Sequence, residues 1–422
     1  MSVRKLFSLR DARVFLVGQG FSLFGDTSLF LALGIWTKEL THSNADAGLT
    51  FFFATIGFLC SPLAGMVVDR VRRRPTLIIT NIFGALLVLL LLFVHSSHQV
   101  WIIYVTMFLY GVAGTFIGSA QSAFLTILLP ADLLGDANGF LRTVREGLRL
   151  VAPLAGAGLF VLIGGHWIAV IDSVTFVVAA ITVAMLHVRE ELLTRTPTHF
   201  FEEISGGFRH VGRTPILRRT VIAFAVALSV VGFAETAIFA VTSNELHRTA
   251  SFIGVIMAAQ GVGAIFGGPL SAPMMRRLGE RWLSGLGLLL FSVGAVLFEG
   301  GSLPSVLAGA VVFGFALPPV IVGAYTLVQV RTPPELQGRA YSAFDLIVSL
   351  PQTVSIAVGA ALITVLGYHG ELTIIAVVVA FSALILLLPI KGEPNFGPLK
   401  EPTVTSDTAE DTIPTTAIGD SE

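Results

Sequence analysis

Three acidic residues lie within long apolar stretches, where a charge is unusual. Asp26 is in the first stretch, Asp172 in the sixth and Glu235 in the seventh. A charge in the middle of a membrane helix costs about 2.5–3.5 kcal/mol on insertion scales, so each position favours a functional role. We predict that these carboxyl groups bind a proton or a cationic group. The alternatives are that Asp26 pairs with an arginine and only holds helices together, and that Asp172 reaches the lipid headgroups.

A second charged group, Arg142, Arg145, Glu146 and Arg149, opens the fifth stretch. The three arginines follow i, i+3, i+7 spacing, which places them on one helix face. We predict that this face lines an aqueous cavity or its mouth. These four residues and the three acidic ones then form the candidate proton-coupling or substrate cavity. The alternative is that the helix begins nearer residue 149 and the charges lie on the surface.

The chain shows no pattern typical of an enzyme or a metalloprotein. Its nine histidines are scattered without metal-ligand spacing, and the single cysteine, Cys60, excludes a thiolate cluster. There is no nucleophile–base pairing and no Gly-x-x-x-x-Gly-Lys phosphate loop. The sequence therefore predicts no enzyme activity, no metal, no cofactor and no nucleic-acid partner.

Composition indicates the elements that must hold these residues. The chain is 54% hydrophobic and 13% charged, against about 25% charged in ordinary soluble domains. A membrane helix needs about 20 apolar residues, and twelve such runs are present. They are 14–36, 49–68, 76–94, 100–121, 141–164, 167–187, 220–241, 252–274, 282–300, 305–328, 341–366 and 372–390. We predict an all-α membrane protein of twelve transmembrane helices.

The basic residues predict the orientation of these helices. Of the 26 Lys and Arg, 21 fall in the termini and in loops of one side, and only Lys38 and Arg248 fall on the other. Because Lys and Arg are retained inside, both termini are predicted to be cytoplasmic in the cell (inner or plasma) membrane.

The predicted domains follow from the helix runs. They are a cytoplasmic N-terminus (1–13), a first six-helix bundle (14–187), a cytoplasmic linker (188–218), a second bundle (219–390) and a disordered cytoplasmic tail (391–422). The linker contains an amphipathic stretch around Phe200–Val211 that could lie on the inner membrane surface; the alternative is a plain connection.

An internal repeat supports the two bundles. Pro62-Leu63 with the arginines that follow it resembles Pro269-Leu270 and its arginines, 207 residues later. Pro130–Ala137 similarly resembles Pro333–Ala340, 203 residues later. Six helices is an even number, so both copies face the same way, as expected for bundles related by an axis along the membrane normal.

The stretch Gly65–Arg74 is similar to the loop 2–3 signature of the major facilitator superfamily: Gly, three residues, Asp-Arg and a basic cluster. The resemblance implies that a gating loop of Gly65, Asp69, Arg70, Arg73 and Arg74 forms a latch that holds the outward-open state. The alternative is that these arginines serve only to keep the loop inside the cell.

Within that superfamily the chain resembles bacterial macrolide-efflux-type drug exporters, in residues 67–74, 138–156 and 206–210. In helix 5, Ala152-Pro153-Leu154-Ala155-Gly156-Ala157 is similar to the antiporter signature Gly-Pro-x-x-Gly-Gly, with Pro153 and Gly156 retained. Tyr110 stands where many proton-coupled drug exporters carry an arginine in helix 4.

The resemblance implies a secondary active transporter that works by alternating access. We expect proton-coupled efflux of bulky amphipathic drugs such as macrolides, with a small-molecule substrate, protons and the lipid bilayer as partners, and a monomeric protein. The alternatives are a dedicated exporter of a siderophore or other natural product, and a lipid flippase-like transporter.

Overall fold

The computed structural model describes residues 6–68, 70–186, 188, 190, 200–333 and 336–388. Throughout this described part the regular structure is helical. The α-helices are α1 (Arg10–Thr41), α2 (Asn44–Phe58), α3 (Ser61–Val68), α4 (Arg73–Leu89), α5 (Val100–Leu128), α6 (Ala131–Ala184), α7 (Phe200–Arg213), α8 (Pro215–Val231), α9 (Ala234–Ala240), α10 (Ile253–Leu278), α11 (Glu280–Glu299), α12 (Leu303–Val330) and α13 (Gln337–Leu387). Short 3-10 helices lie before α5 and α10, and a π-helix, Val241–Glu245, follows α9.

Nine helical segments within these described ranges are long and apolar enough to cross a membrane. They also present large apolar side chains outward, with Leu162 and Val365 each 79% exposed. Because contiguous apolar surface of this kind is unfavourable in water, the exposed side chains fit a lipid environment.

Two of the nine segments bend sharply at a glycine. Gly164 in α6 has a φ of 79°, and Gly367 in α13 has a φ of 64°. Residues with side chains rarely adopt this left-handed region, whereas glycine does so at no steric cost. Each glycine separates two apolar runs that the sequence predicts, 141–164 from 167–187 and 341–366 from 372–390.

The second predicted run, 49–68, is interrupted. It comprises part of α2 and all of α3, separated by Leu59 and Cys60. The apolar pattern continues through this break, which is why composition alone gives no sign of it.

The predicted linker contains a helix, α7, so a plain connection is wrong. It packs against the start of α13. A Cβ added to Gly207 would approach the carbonyl carbon of Arg339 to 2.6 Å, and His210 Nε2 lies 3.3 Å from the carbonyl oxygen of Arg331. The contact at Gly207 therefore brings α7 and α13 together backbone to backbone, whereas His210 contacts the residue that follows α12.

Glycine contacts of the same kind occur in both halves of the chain. Gly57 of α2 lies against α5, where an added Cβ would be 3.0 Å from Gly111 Cα. In the second half, Gly263 of α10 lies against α12, where an added Cβ would be 2.7 Å from Phe315 N. Small residues let membrane helices pack closely.

The two halves of the chain meet at one end of the molecule, which we call the closed end. Here α2 packs against α9 and α13, and α6 packs against α10. The rings of Phe51 and Phe239 stack with centroids 6.1 Å apart. A Cβ added to Gly48 would be 3.3 Å from Thr236 Cβ and closer still to its methyl group.

Candidate functional site

Tyr110 connects two of the acidic residues that the sequence singled out. Its hydroxyl donates to Asp26 Oδ1 at 2.6 Å and lies 3.5 Å from Asp172 Oδ2. The three side chains come from α1, α5 and the second part of α6. They form one polar group, which we call the carboxyl–tyrosine cluster, inside an apolar bundle.

Close helix packing brings the cluster together. A Cβ on Gly25 would overlap Asp172 Oδ1 and the hydroxyl oxygen of Thr175, so α1 and α6 can approach only because residue 25 is glycine. Thr175 Oγ1 lies 3.2 Å from Asp172 Oδ1, and the ring of Phe176 meets Tyr110 edge-on at 5.8 Å. The carboxyl group of Asp172 is thereby fixed in position.

Asp172 is 0% exposed. The alternative that it reaches the lipid headgroups is therefore wrong, because α1 and α5 cover it. Asp26 is half-buried, and its hydrogen-bond donor is a tyrosine on α5. Arg145 on α6 is exposed.

The charged residues of the fifth run lie within a helix, since α6 begins at Ala131. The alternative that the helix itself begins near residue 149 is therefore wrong. Its second part, that the charges lie on the surface, is not contradicted, because the apolar segment begins at Val151 and Arg145 is exposed. Of the four, the side chain of Arg145 is described, whereas those of Arg142, Glu146 and Arg149 lie outside the described part of the structure.

Glu235 lies at the start of α9, half-buried, beside Thr236. Thr236 contacts a residue that the sequence analysis missed: Glu371 of α13 is 0% exposed, and its Oε2 lies 3.2 Å from Thr236 Oγ1. An internal sequence repeat could have drawn attention to Thr236. Phe233-Ala234-Glu235-Thr236 resembles Phe24-Gly25-Asp26-Thr27, 209 residues earlier.

The predicted gating loop is only partly described. Asp69 lies outside the described residues, Gly65 has open space around it, and Arg70 is exposed. Glu190 Oε2 and Oε1 accept the backbone N–H groups of Arg73 and Arg74 at 2.7 and 2.6 Å.

Arg74 has a structural partner within the same half of the chain. Its guanidinium donates to the carbonyl oxygens of Val183 and Ala184, at the last turn of α6. Arg281 repeats this arrangement on Leu386 and Leu387 at the end of α13. A helix end has carbonyls without helical partners, and a cation stabilises them.

The helix 5 motif packs α6 against two neighbours. Ser28 Oγ of α1 donates to Ala152 O at 3.3 Å, and a Cβ on Gly156 would be 2.9 Å from Ser28 Cα. On another side, a Cβ on Gly254 of α10 would be 3.4 Å from Pro153 O. Gly156 thus lies at the contact between α6 and α1 within the first half, and Pro153 lies at the contact between α6 and α10 of the second half.

Within the described residues, no group of three or more His, Cys, Asp or Glu is placed to hold a metal ion. The polar chemistry of the site is that of carboxyl and hydroxyl groups within an apolar helical bundle. Proton binding and hydrogen bonding to a substrate are what such groups can do there.

A model of the Major Facilitator Superfamily matches residues 15–243 and 222–416. The chain belongs to the Major Facilitator Superfamily. It is therefore a multi-pass membrane transporter, and its relatives are transporters rather than enzymes.

Two curated superfamily members illustrate the likeness. The chain is 24% identical over 364 residues to macrolide efflux protein A of Streptococcus pyogenes, which covers 81% of this chain and 87% of that protein. It is 24% identical over 387 residues to the putative bacilysin exporter BacE of Bacillus amyloliquefaciens, covering 89% and 92%. The resemblance to macrolide exporters in the sequence is confirmed at this level of identity.

Among solved structures, a bacterial homologue of the iron transporter ferroportin in the inward-facing state matches with a TM-score of 0.69. It is 17% identical, and the match covers 89% of this chain and 98% of that one. At this identity the likeness shows the fold.

Proposed function

We propose that this protein is a proton-coupled exporter of bulky amphipathic compounds that works by alternating access. The observation that carries the proposal is the carboxyl–tyrosine cluster of Asp26, Tyr110 and Asp172. An exporter driven by protons needs a group that binds a proton inside the membrane and returns it to water.

The cluster has the geometry of a short proton relay. Two ionised carboxylates on one hydroxyl would repel each other strongly in an apolar interior, which favours a proton shared within the cluster. With that proton on Asp172, its O–H faces Tyr110 Oη across 3.5 Å and donates once the two oxygens close to about 3 Å, while the proton of Tyr110 points to Asp26. Moving both protons one step along this line leaves Asp26 protonated, Tyr110 neutral and Asp172 ionised.

The two ends of the relay differ in their access to water. Asp172 is fully buried, whereas Asp26 is half-buried. In this mechanism Asp26 exchanges the proton with the cavity. Tyr110 takes the place of the helix 4 arginine of many related exporters by linking two carboxyl groups.

The proposed architecture is twelve membrane passes in two six-helix bundles. The bends at Gly164 and Gly367 each divide one of the nine apolar segments into two passes, which gives eleven. Helices α2 and α3, which are not among the nine, together form the twelfth pass. The paired glycine contacts and the matching roles of Arg74 and Arg281 support a parallel repeat. Both termini are cytoplasmic, and the protein is a monomer in the plasma membrane.

For the substrate, the relatives named for macrolide and bacilysin transport favour two possibilities. The first is a range of amphipathic drugs, macrolides included. The second is one dedicated natural product, the kind of substrate for which the putative bacilysin exporter is named. A panel of dyes and antibiotics separates the two possibilities, because a dedicated exporter does not change the accumulation of any compound in the panel.

The test is efflux from cells that express the wild type, Tyr110→Phe or Asp26→Asn, with and without a protonophore. Tyr110→Phe keeps the ring against Phe176 but removes the relay hydroxyl. We expect proton-driven efflux to fall at least about tenfold, as for loss of a proton-transfer group, while substrate exchange without a proton gradient is retained.

Tyr104→Phe is the matched control. Tyr104 is also on α5, and its hydroxyl donates to the carbonyl oxygen of Asp46 at 3.2 Å, away from the cluster. It should export like the wild type. Unchanged efflux in Tyr110→Phe and Asp26→Asn would refute the relay, and efflux that persists under the protonophore would refute proton coupling.

A further inference from the structure

Glu371 is the most deeply buried acidic residue of the second half that the relay does not use. It lies four residues after the bend at Gly367, near the closed end, and none of its surface is exposed. Among the residues that the structure describes, its Oε1 has no hydrogen-bond partner, and its Oε2 has one, Thr236 Oγ1. An ionised carboxylate in this setting would be left nearly unsolvated.

The hydrogen-bond geometry favours a proton on the carboxyl group. Thr236 has one hydroxyl proton and two acceptors within reach, Phe233 O at 2.9 Å and Glu371 Oε2 at 3.2 Å. If the hydroxyl donates to the nearer carbonyl, Glu371 makes a hydrogen bond only by donating its own O–H to Thr236 Oγ1. The result is a chain from the carboxyl group through Thr236 to the backbone of Phe233.

The same threonine forms the contact between the two halves. Its methyl group lies directly against Gly48 of α2, where a Cβ would be 3.3 Å from Thr236 Cβ. Opening the closed end must separate these two residues. That movement would also expose the hydroxyl that Glu371 contacts, and so admit water to the carboxyl group.

We propose that Glu371 is a second proton-binding site, which holds its proton while the closed end is shut and exchanges it with the solution on that side when Thr236 leaves Gly48. The proposal rests on the proposed function in one respect, the use of a proton gradient. It adds a residue in the second half of the chain whose protonation controls the opening of the closed end.

Other titratable groups face this region and must be separated from Glu371. Tyr368 donates to Glu245, and Glu299 Oε1 accepts from Thr373 at 3.1 Å and lies 3.8 Å from His369 Nδ1. The groups on the segment itself and on the elements packed against it at this end are Asp46, Glu235, Glu245, Glu299, Tyr368 and His369.

The experiment measures access to a buried cysteine at the closed end of purified protein in lipid discs, without substrate. The sole native cysteine is removed by Cys60→Ser. Ala240→Cys supplies the reporter, since Ala240 is 1% exposed and lies between the halves. Asn244→Cys, exposed at the same end, corrects for the effect of pH on thiol reactivity.

We expect the labelling ratio of Ala240→Cys to Asn244→Cys to rise with pH by about threefold to tenfold per unit, the limit for one proton being tenfold. Adding Glu371→Gln should hold the ratio low at every pH, because the amide imitates the protonated acid. Glu299→Gln and His369→Gln, the matched controls, should keep the rise.

Two variants of Thr236 guard against a misfolded Glu371→Gln. Thr236→Val removes the hydroxyl but keeps a methyl group toward Gly48, and should shift the pH at which the ratio rises. Thr236→Ser keeps the hydroxyl, and the pH of the rise should stay near that of the wild type. A rise that survives in Glu371→Gln, or that is missing from the wild type, overturns the proposal.

The outcome is distinguishable from failure of the proposed function, because no transport is measured. Absence of drug efflux together with a labelling rise that depends on Glu371 would refute the export function and support this site. Proton-driven efflux together with a flat labelling ratio would refute this site alone.

Discussion

The carboxyl–tyrosine cluster depends on a residue with no side chain. Gly25 precedes Asp26 on α1 and faces Asp172 and Thr175 on α6, where the nearest carbon of Thr175 would be 3.0 Å from an added Cβ. The atoms it would meet are polar groups already fixed by hydrogen bonds, so they cannot move aside without breaking those bonds.

Gly25→Ala is therefore expected to destabilise the protein by about 1–3 kcal/mol, the usual cost of overpacking, and to reduce proton-driven efflux by separating Asp172 from Tyr110. Melting temperature and efflux are the two measurements. Gly20→Ala is the control on the same helix, because the nearest atom to its Cβ would be Val144 Cγ1 at 4.0 Å. Equal behaviour of the two variants would contradict the packing argument.

At the residue scale the sequence singled out two acidic residues that the structure brings together, but not the tyrosine that joins them. Asp26 and Asp172 stand out because each is a charge in an apolar run. Tyr110 lies 84 residues from Asp26 and 62 from Asp172, and no local pattern reports a contact over such a separation. Glu371 was missed because it follows Gly367-Tyr368-His369-Gly370, which reads as the end of a helix near a loop.

At the scale of elements, Arg74 and Arg281 each tie the end of one helix to the start of another. Arg74 joins α4 to the end of α6, and Arg281 joins α11 to the end of α13. The shared arrangement shows that the recurring basic residues have a local structural role, in addition to any part in orientation or gating. Arginine suits this role since its planar group donates several hydrogen bonds at fixed angles.

We expect Arg74→Gln and Arg281→Gln each to lower the free energy of unfolding by about 1.5–3 kcal/mol, the range for hydrogen bonds to charged groups. Thermal unfolding in detergent gives the measurement. Arg72→Gln and Arg277→Gln, which change exposed arginines nearby, should unfold at the wild-type temperature. A loss of transport in Arg74→Gln without any loss of stability would instead support the gating latch.

The helices themselves were largely predictable, because runs of about 20 apolar residues leave few alternatives in a membrane. Their interruptions were not. The bends at Gly164 and Gly367 depend on positive φ angles at a single residue each, and the break at Cys60 lies inside an unbroken apolar pattern. Hydropathy averages over many residues, so it does not register a conformational change at one of them.

At the scale of the whole molecule, alternating access requires the contacts at the closed end to break and re-form. Between the halves, Asn44 of α2 and Ser243 of the π-helix approach within 3.5 Å, Oδ1 to Oγ. Phe51 and Phe239 lie deeper in the same contact. We call the Asn44–Ser243 contact the rim of the closed end. A small polar contact at the rim and stacked rings beneath it suit an interface that opens repeatedly, because separating them breaks no buried ion pair.

Joining the two halves at the rim should stop transport without unfolding the protein. With Cys60→Ser as background, Asn44→Cys and Ser243→Cys are linked by a short bifunctional thiosulfonate reagent. We expect efflux to be lost on linking, because the closed end can no longer open, and to be restored when a reductant releases the link.

Glu299→Cys and Thr373→Cys provide the control, since their native side chains lie 3.1 Å apart at the same end but within the second half. Linking them should leave efflux intact, as a bundle that moves as a rigid body tolerates an internal link. Full efflux from the linked Asn44–Ser243 pair would show that the closed end does not open during transport.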